Sequence, residues 1–542
     1  MRTLFAPLLL GLLALAAWAQ DGADVTAQLP KGSPVSVRIA SFDRVDAIVK
    51  DWIPLLEALG LGEDVAELKQ MPASNYLFAK SGLNAEIVDR TKPIYLGIVE
   101  GDDGLVVLHP AAGAAWEGKK ELREGAFAVL RGGAIVVGEG ALLEAEPRGT
   151  PTTFRVEGDA VLHLYLGELV AKHRDDIEQM ATEAAMGIAA AGDIPENARA
   201  LILPIVTSIK NAVQSLEALD YGVTWTGERV ESEGFVSIAE GSGLRNLLKR
   251  AGEPGSTDLV AYLPREAFMT ATACMNPDWP AKEMKEMLEK AGGADVATAL
   301  LQLLSMGSMF GESLTGRGAT AVNMSFMGGN VVALYEMKPD ADPKKFFDGF
   351  DTTKTNEAFK TIGIPLSYTF EKSVAKHGET DIHRFGMTSD NPQLAVAFAS
   401  MQGCMAAENG VLFMVMAPMA QEDLKTLLDK VRRGEKLPDH PHAQAMARLG
   451  RGHNIGFTIN LGALRQMLQM FAGMMPPEAR QIMQAIPEVL PFSTAVTFPD
   501  GNIRWRGDWP AKEIAKIAGT VAKPTPPAPV PTAPEDEGEK FD

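Results

Sequence analysis

The stretch PIYLGIVEGDDGLVVLHP, residues 93–110, decides the fold class. Two apolar runs rich in Ile, Leu and Val stand either side of Gly101-Asp102-Asp103-Gly104. Glycine and aspartate supply the backbone conformations of a tight turn and the flanking runs have strand length, so the stretch predicts an antiparallel hairpin. AFAVLRGGAIVVGEG, residues 126–140, repeats the pattern around Gly132-Gly133. Further hairpins are predicted at Gly227-Glu228, Gly328-Gly329-Asn330 and Asp500-Gly501-Asn502. Amphipathic or Ala/Met-rich helices are predicted over 170–191, 196–219, 281–304 and 464–475. Strands that arrive in hairpins, not alternating singly with helices, give an α+β fold and exclude a doubly wound parallel sheet.

Three segments recur in the same order. SPVSVRIASFDRVDAIVKDW from Ser33 resembles STDLVAYLPREAFMTATACMNPDW from Ser256, each read as strand, loop, helix and then Asp-Trp. AVLHLYLGELV from Ala160 resembles NIGFTINLGALR from Asn454, with Leu166-Gly167 matching Leu461-Gly462. VTWTGERVESEGFVSIAEGSGLRNLLKRAG from Val223 resembles VTFPDGNIRWRGDWPAKEIAKIAG from Val496. The expected architecture is an internal duplication. Its two lobes, 25–252 and 253–520, are each an antiparallel hairpin-rich sheet covered by helices, with an insertion in the second. DWPAKE occurs at 278–283 and 508–513, at different phases of this repeat, so it reads as a helix opener used twice. Aspartate can cap an orphan N–H, proline is tolerated in the first turn, and glutamate suits the positive end of the helix dipole. Residues 521–542 read as a disordered, Pro-rich acidic tail.

The chain of 542 residues carries a formal charge of −19. Such a balance repels phosphates, and no Lys/Arg run with interleaved aromatics offsets it, so nucleic acid is not an expected partner. Residues 1–19 read as a signal peptide: Arg2 is the positive region, 8–17 the apolar region, and cleavage falls between Ala19 and Gln20. The apolar region is shorter than the roughly 20 residues that span a bilayer, and no later stretch has 18 uninterrupted apolar residues. The expectation is an exported bacterial protein, periplasmic or extracellular, with no transmembrane segment after cleavage.

Cys274 and Cys404 either form one disulfide or remain two separate buried thiols; their spacing leaves both open, and there is no CxxC pair. His377 and His383 bracket Glu379 and Asp381 in KHGETDIH. With Asp381 they are the candidate metal ligands of a metal-dependent hydrolase, but HExxH spacing is absent and a polar loop in a hairpin-rich protein is the favoured reading of these residues. Ser373-Val374-Ala375-Lys376 matches SxxK, but it follows a strand-like run and no KTG triplet follows. Methionines cluster at 306–327, 401–419 and 467–483. Thioethers suit Cu(I), so a copper-binding protein is one alternative, whereas spacing among Leu, Phe and Ala favours flexible core packing. Met467, Met470 and Met474 are candidates for the wall of an apolar groove.

The segment ATAVNMSFMGGNVVALYEMKPDADPKKFFDGF, residues 319–350, resembles part of secreted bacterial envelope proteins of a domain-of-unknown-function type. They share a signal peptide, an early strand-helix unit and then hairpins. The resemblance implies compartment and architecture, and no activity. No nucleophile–base set or cofactor motif is present in the sequence, so the functional expectation is a non-enzymatic envelope protein without a cofactor. Its segments 170–219 and 464–486, rich in Ala, Met, Leu and Ile, would bind a lipid-like or other amphiphilic ligand or another envelope protein. A structural scaffold without a ligand is the remaining alternative.

Overall fold

The computed structural model describes residues 25–522, less 59–65, 67, 68, 70, 71, 101, 102, 115–117, 123, 124, 191–201, 280–298, 300–310, 326, 327, 363, 364, 390–401, 451 and 470. The predicted helix over 281–304 and Met470 lie almost wholly or wholly outside them.

Among the described residues nineteen strands form one antiparallel sheet. The first nine are β1 (Val35–Ile39), β2 (Ile94–Glu100), β3 (Asp103–Leu108), β4 (Lys119–Glu121), β5 (Ala126–Arg131), β6 (Ala134–Glu139), β7 (Ala160–Leu164), β8 (Leu216–Trp225) and β9 (Val230–Ile238). The other ten are β10 (Met269–Cys274), β11 (Leu314–Ser325), β12 (Gly328–Met337), β13 (Ser367–His377), β14 (Thr380–Thr388), β15 (Gly403–Glu408), β16 (Val411–Met416), β17 (Ile455–Asn460), β18 (Pro491–Thr497) and β19 (Ile503–Trp509). In space the first set runs β4-β5-β6-β3-β2-β1-β7-β8-β9. The second set runs β13-β14-β15-β16-β12-β11-β10-β17-β18-β19. β1 therefore lies between β2 and β7 as β10 lies between β11 and β17, and the outer strand β13 is the extra element of the second set.

The two series meet where β9 pairs with β19, so the expected pair of separate lobe sheets is instead one continuous sheet. Val230 opposes Trp509 and Val236 opposes Ile503, with Glu233 facing Arg506 at the middle of the joint. Charge holds this joint. Glu233 accepts from Arg504 Nε at 2.7 Å and Arg506 Nε at 2.8 Å. Buried Asp508 accepts from Arg448 Nε at 2.9 Å and from Arg229 Nε.

The predicted turns form where glycine is required: Gly132 and Gly133 both have positive φ between paired Arg131 and Ala134. Gly328 to Asn330 belong to β12 itself, because Ser325 already pairs with Gly328. The match of Ser33 with Ser256 is out of register. Asp258–Tyr262 is a 3₁₀ turn and Met269–Cys274 is a strand, not a helix. In the first series a 3₁₀ turn, Val25–Gln28, likewise precedes Leu29-Pro30 and β1, as Leu263-Pro264 precedes β10. The match of Leu166-Gly167 with Leu461-Gly462 holds physically. Each glycine lies against the backbone that enters the next strand, Leu216 and Glu217 in one case, Pro487 and Glu488 in the other.

Helices fill the connections. α1 (Phe42–Ala58) follows β1; α2 (Leu166–Lys172), α3 (Arg174–Ala190) and α4 (Ile202–Gln214) join β7 to β8. α5 (Gly243–Lys249) follows β9, α6 (Pro343–Asp348) follows β12, α7 (Ala420–Arg432) follows β16, and α8 (Pro441–Arg448) precedes β17. α9 (Leu461–Gln469) and α10 (Pro477–Ala485) join β17 to β18, and α11 (Ala511–Ala522) follows β19. The predicted helix over 196–219 ends early, since 216–219 already belong to β8. The second DWPAKE opens α11 as expected, whereas residues 280–283 of the first lie outside the described residues; Asp278 N donates to Asn276 Oδ1 at 3.1 Å, and Asp508 is not a cap but is spent on its two arginines. A substantial core lies under α7, where Leu424, Leu427 and Leu428 pack on Ala406, Phe413 and Val415.

Candidate functional site

α3 and α4 form a helical pair that packs on itself and touches α2 and α5. Its exposed surface is mixed and carries apolar stripes. Ile205, Ile209 and Val213 are spaced at i, i+4 and i+8, hence on one face of α4, and are 43, 60 and 37% exposed. On α3, Met180 and Ile188 are also two turns apart and exposed, and Met186 stands beside them in sequence, likewise exposed. Helices that cover a sheet turn such stripes inward, whereas this one faces solvent. Carboxylates border it: Asp176 lies one turn before Met180 and Glu183 one turn after. Among the described residues neither meets a lysine or arginine; Asp176 meets His173 and Glu183 meets Gln179. Of the predicted groove residues, Met474 is 78% exposed outside any groove wall described here, whereas the side chains of Met467 and Met470 lie outside the described set.

A second feature is a cavity of about 530 Å³ between the Asp258–Tyr262 turn, α8 and the sheet. Val260, Ala261, Ala443 and Met446 supply apolar wall, and the Lys436–Asp258 ion pair (3.0 Å) stands among the lining. His442 and His453 belong to its lining and to a buried hydrogen-bond chain. Ser493 Oγ lies 3.1 Å from Thr458 Oγ1, which is 2.7 Å from His442 Nδ1. His442 Nε2 is 3.1 Å from Thr272 Oγ1, which is 2.7 Å from His453 Nε2. Burial, then the neighbouring His440 and His453, pushes the His442 imidazole down to about 3. Burial also lowers His440 and His453, so the chain is built for neutral rings.

The candidate metal ligands do not converge. His377 Nε2 lies 2.8 Å from Asp429 Oδ1 at the β13–β14 turn. His383 stacks on Phe347 at 3.9 Å between centroids and accepts from Ser373 N at 3.3 Å; burial lowers its pKa. Asp381 sits near Lys376, 3.5 Å away, so the lysine of the SxxK match is committed to an ion pair. Among the described residues no group of three His, Cys, Asp or Glu side chains could hold a metal. The physical reason is the hairpin. The short turn at 378–379 sends His377 to α7, while His383 lies under the α6 aromatic cluster.

Cys274 and Cys404 are buried free thiols, raised in pKa by burial. β10 and β15 are four strand spacings apart, about 19 Å at 4.7–4.9 Å per strand, far beyond disulfide reach. Denatured, unreduced protein should therefore give two thiols per chain in an Ellman titration; a value near zero would mean the cysteines pair. Met405, Met414 and Met416 pack with Phe346, Phe385 and Met337 as core, while Met419 of the same cluster is exposed and Met401 lies outside the described residues.

One juxtaposition escapes the sequence. Ser36, His163 and Asp220 stand in one cross-strand row on β1, β7 and β8, with His163 Nδ1 2.7 Å from Asp220 Oδ1. The row is buried: Ser36 Oγ has no hydrogen-bond partner among the described residues, and His163 and Asp220 are buried as well. Its counterpart in the second series is Thr270, Thr458 and Ser493. Among the described residues no helix is long and apolar enough to cross a membrane. Compared with known protein families, curated proteins and solved structures, the chain matches none.

Proposed function

We propose that this is an exported, non-enzymatic envelope protein that binds another envelope protein through the outer face of α3 and α4. The exposed Ile205–Ile209–Val213 stripe carries the reading. An amphiphilic lipid is the weaker fit, because Asp175, Asp176, Glu178 and Glu183 on α3 would be repelled by an anionic membrane surface. Export rests on residues 1–20. We also infer an internal duplication of the chain. It is supported by the matched strand orders of the two series and the paired Leu-Gly sites.

A photo-crosslinking amino acid at position 209, irradiated in the native envelope, should give one discrete protein adduct. Ile205→Glu in the same chain should remove at least nine tenths of it. The same amino acid at exposed Met474 should give none. Absence of any adduct at 209, or retention of a lipid in place of a protein, would sink the proposal.

A further inference from the structure

We infer that the partner's contribution to the α3–α4 face is an amphipathic helix with an aliphatic stripe and a basic border. The inference rests on the duplication and binding face proposed above. The second half of the chain displays the arrangement that the first half leaves open. α10 closes the β17–β18 connection as α4 closes β7–β8, and α10 is covered by α11, the helix that follows β19. The element in the same position after β9 is α5, which touches α4 but is only 7 residues long, against 12 in α11. α5 stops at Arg250, and Gly252 then turns the chain away with φ of +97°. Ile205, Ile209 and Val213 are left uncovered beyond it.

α11 shows what fits such a helix. Its sequence AKEIAKIAGTVA places Ile514, Ala515 and Ile517 among Lys512 and Lys516; α11 packs on α1 as well as on α10, with Ala515 buried beside Val45, Ile48 and Trp225, and Lys512 lies 3.5 Å from Glu228. Small and branched aliphatics permit close helix approach, while lysines at the border would answer Asp176 and Glu183 on α3. The length also agrees: α4 has 13 residues, roughly 20 Å at 1.5 Å per residue, which a three-turn helix covers. An anionic bilayer would meet the same carboxylates unfavourably.

The test uses the full chain and a fluorescent, helix-stabilised peptide of sequence 511–522, followed by anisotropy. Saturable binding is expected. It should weaken at least tenfold for the Ile209→Glu protein, and at least tenfold when both peptide lysines become glutamate. Met474→Glu should leave it unchanged and serves as the folding-neutral surface control. No saturable binding, or binding indifferent to Ile209→Glu, overturns the inference. A dimer by light scattering that Ile209→Glu dissolves also overturns it, assigning the face to a second copy. Failure here with a protein adduct still formed from position 209 leaves the binding face standing and removes only the helical class of partner.

Discussion

Asp508→Ala lowers the stability of the chain by about 3 kcal/mol, seen as an earlier urea midpoint in tryptophan fluorescence at pH 7. The carboxylate is 1% exposed and is the shared acceptor of Arg229 from the β8–β9 turn and Arg448 from the end of α8. Removing it leaves two guanidinium groups without their anion, and breaking buried pairs of this kind costs about 3–5 kcal/mol. Arg448 is 41% exposed, so water recovers part of its share and the lower end applies. Glu233 is a graded comparison. Burial would raise its carboxyl, but the hydrogen bonds of Arg504 and Arg506 outweigh that and hold it below the usual range. Glu233→Gln keeps an acceptor for both arginines and should cost less than Asp508→Ala. Equal midpoints for wild type and Asp508→Ala would show that the β9–β19 joint does not depend on this charge. A change in the slope of the transition would show instead that the halves had begun to unfold separately.

The hairpins were legible because their turns are chemical: Gly132-Gly133 and Gly227 need positive φ, and the flanking runs alternate. Where the sequence misleads, two local readings compete. LVAY at 259–262 is an unbroken apolar run that suits a strand, yet Leu259, Val260 and Leu263 serve as a lid on the core beside β11. MTATAC looks helical by its alanines, but its alternating Thr270, Thr272 and Cys274 face one buried side of the sheet, between β11 and β17. Such short segments are decided by their neighbours, which the sequence does not place. The histidine chain was invisible for the same reason. His442 and His453 are near one another in sequence, but Thr272 lies some 170 residues earlier and joins them only through the β10–β17 register. Asp508 was legible as an acid and not as a joint. Its partner Arg229 is 279 residues away and reaches it only because β9 and β19 pair. The apolar face of α4 was partly legible, since its richness in Ile and Val stands in the sequence. That the stripe faces water is a tertiary fact that no local pattern states.

Acidification from pH 6.5 to 4.5 should cost the folded chain about 2 kcal/mol through His442 alone. The sign follows from burial. His442 is 1% exposed and its folded pKa lies near 3, below the ordinary 6.5, so the unfolded chain takes up the proton first. The stabilisation is complete above pH 6.5 and is lost progressively as the pH falls toward 3, at up to about 1.4 kcal/mol per pH unit. His440 and His453, also lowered by burial, add in the same direction. Carboxylates held low by partners, Glu233 and Glu408 among them, begin to lose their contribution as the pH falls into the ordinary carboxylate range, so it is the comparison with a His442 variant that isolates the imidazole. Urea unfolding at pH 6.5, 5.5 and 4.5 is the measurement, with His442→Gln as comparison. Glutamine can still bond Thr272 or Thr458 but cannot titrate. The variant should be less stable at pH 7, because no single amide reproduces both ring contacts, and its stability should fall less steeply by about 1 kcal/mol per pH unit. If wild type and variant lose stability in parallel, His442 already carries its proton in the folded chain. Its Nε2 and Nδ1 would then both donate, to Thr272 and Thr458, and those hydroxyls would have to turn toward His453 and Ser493.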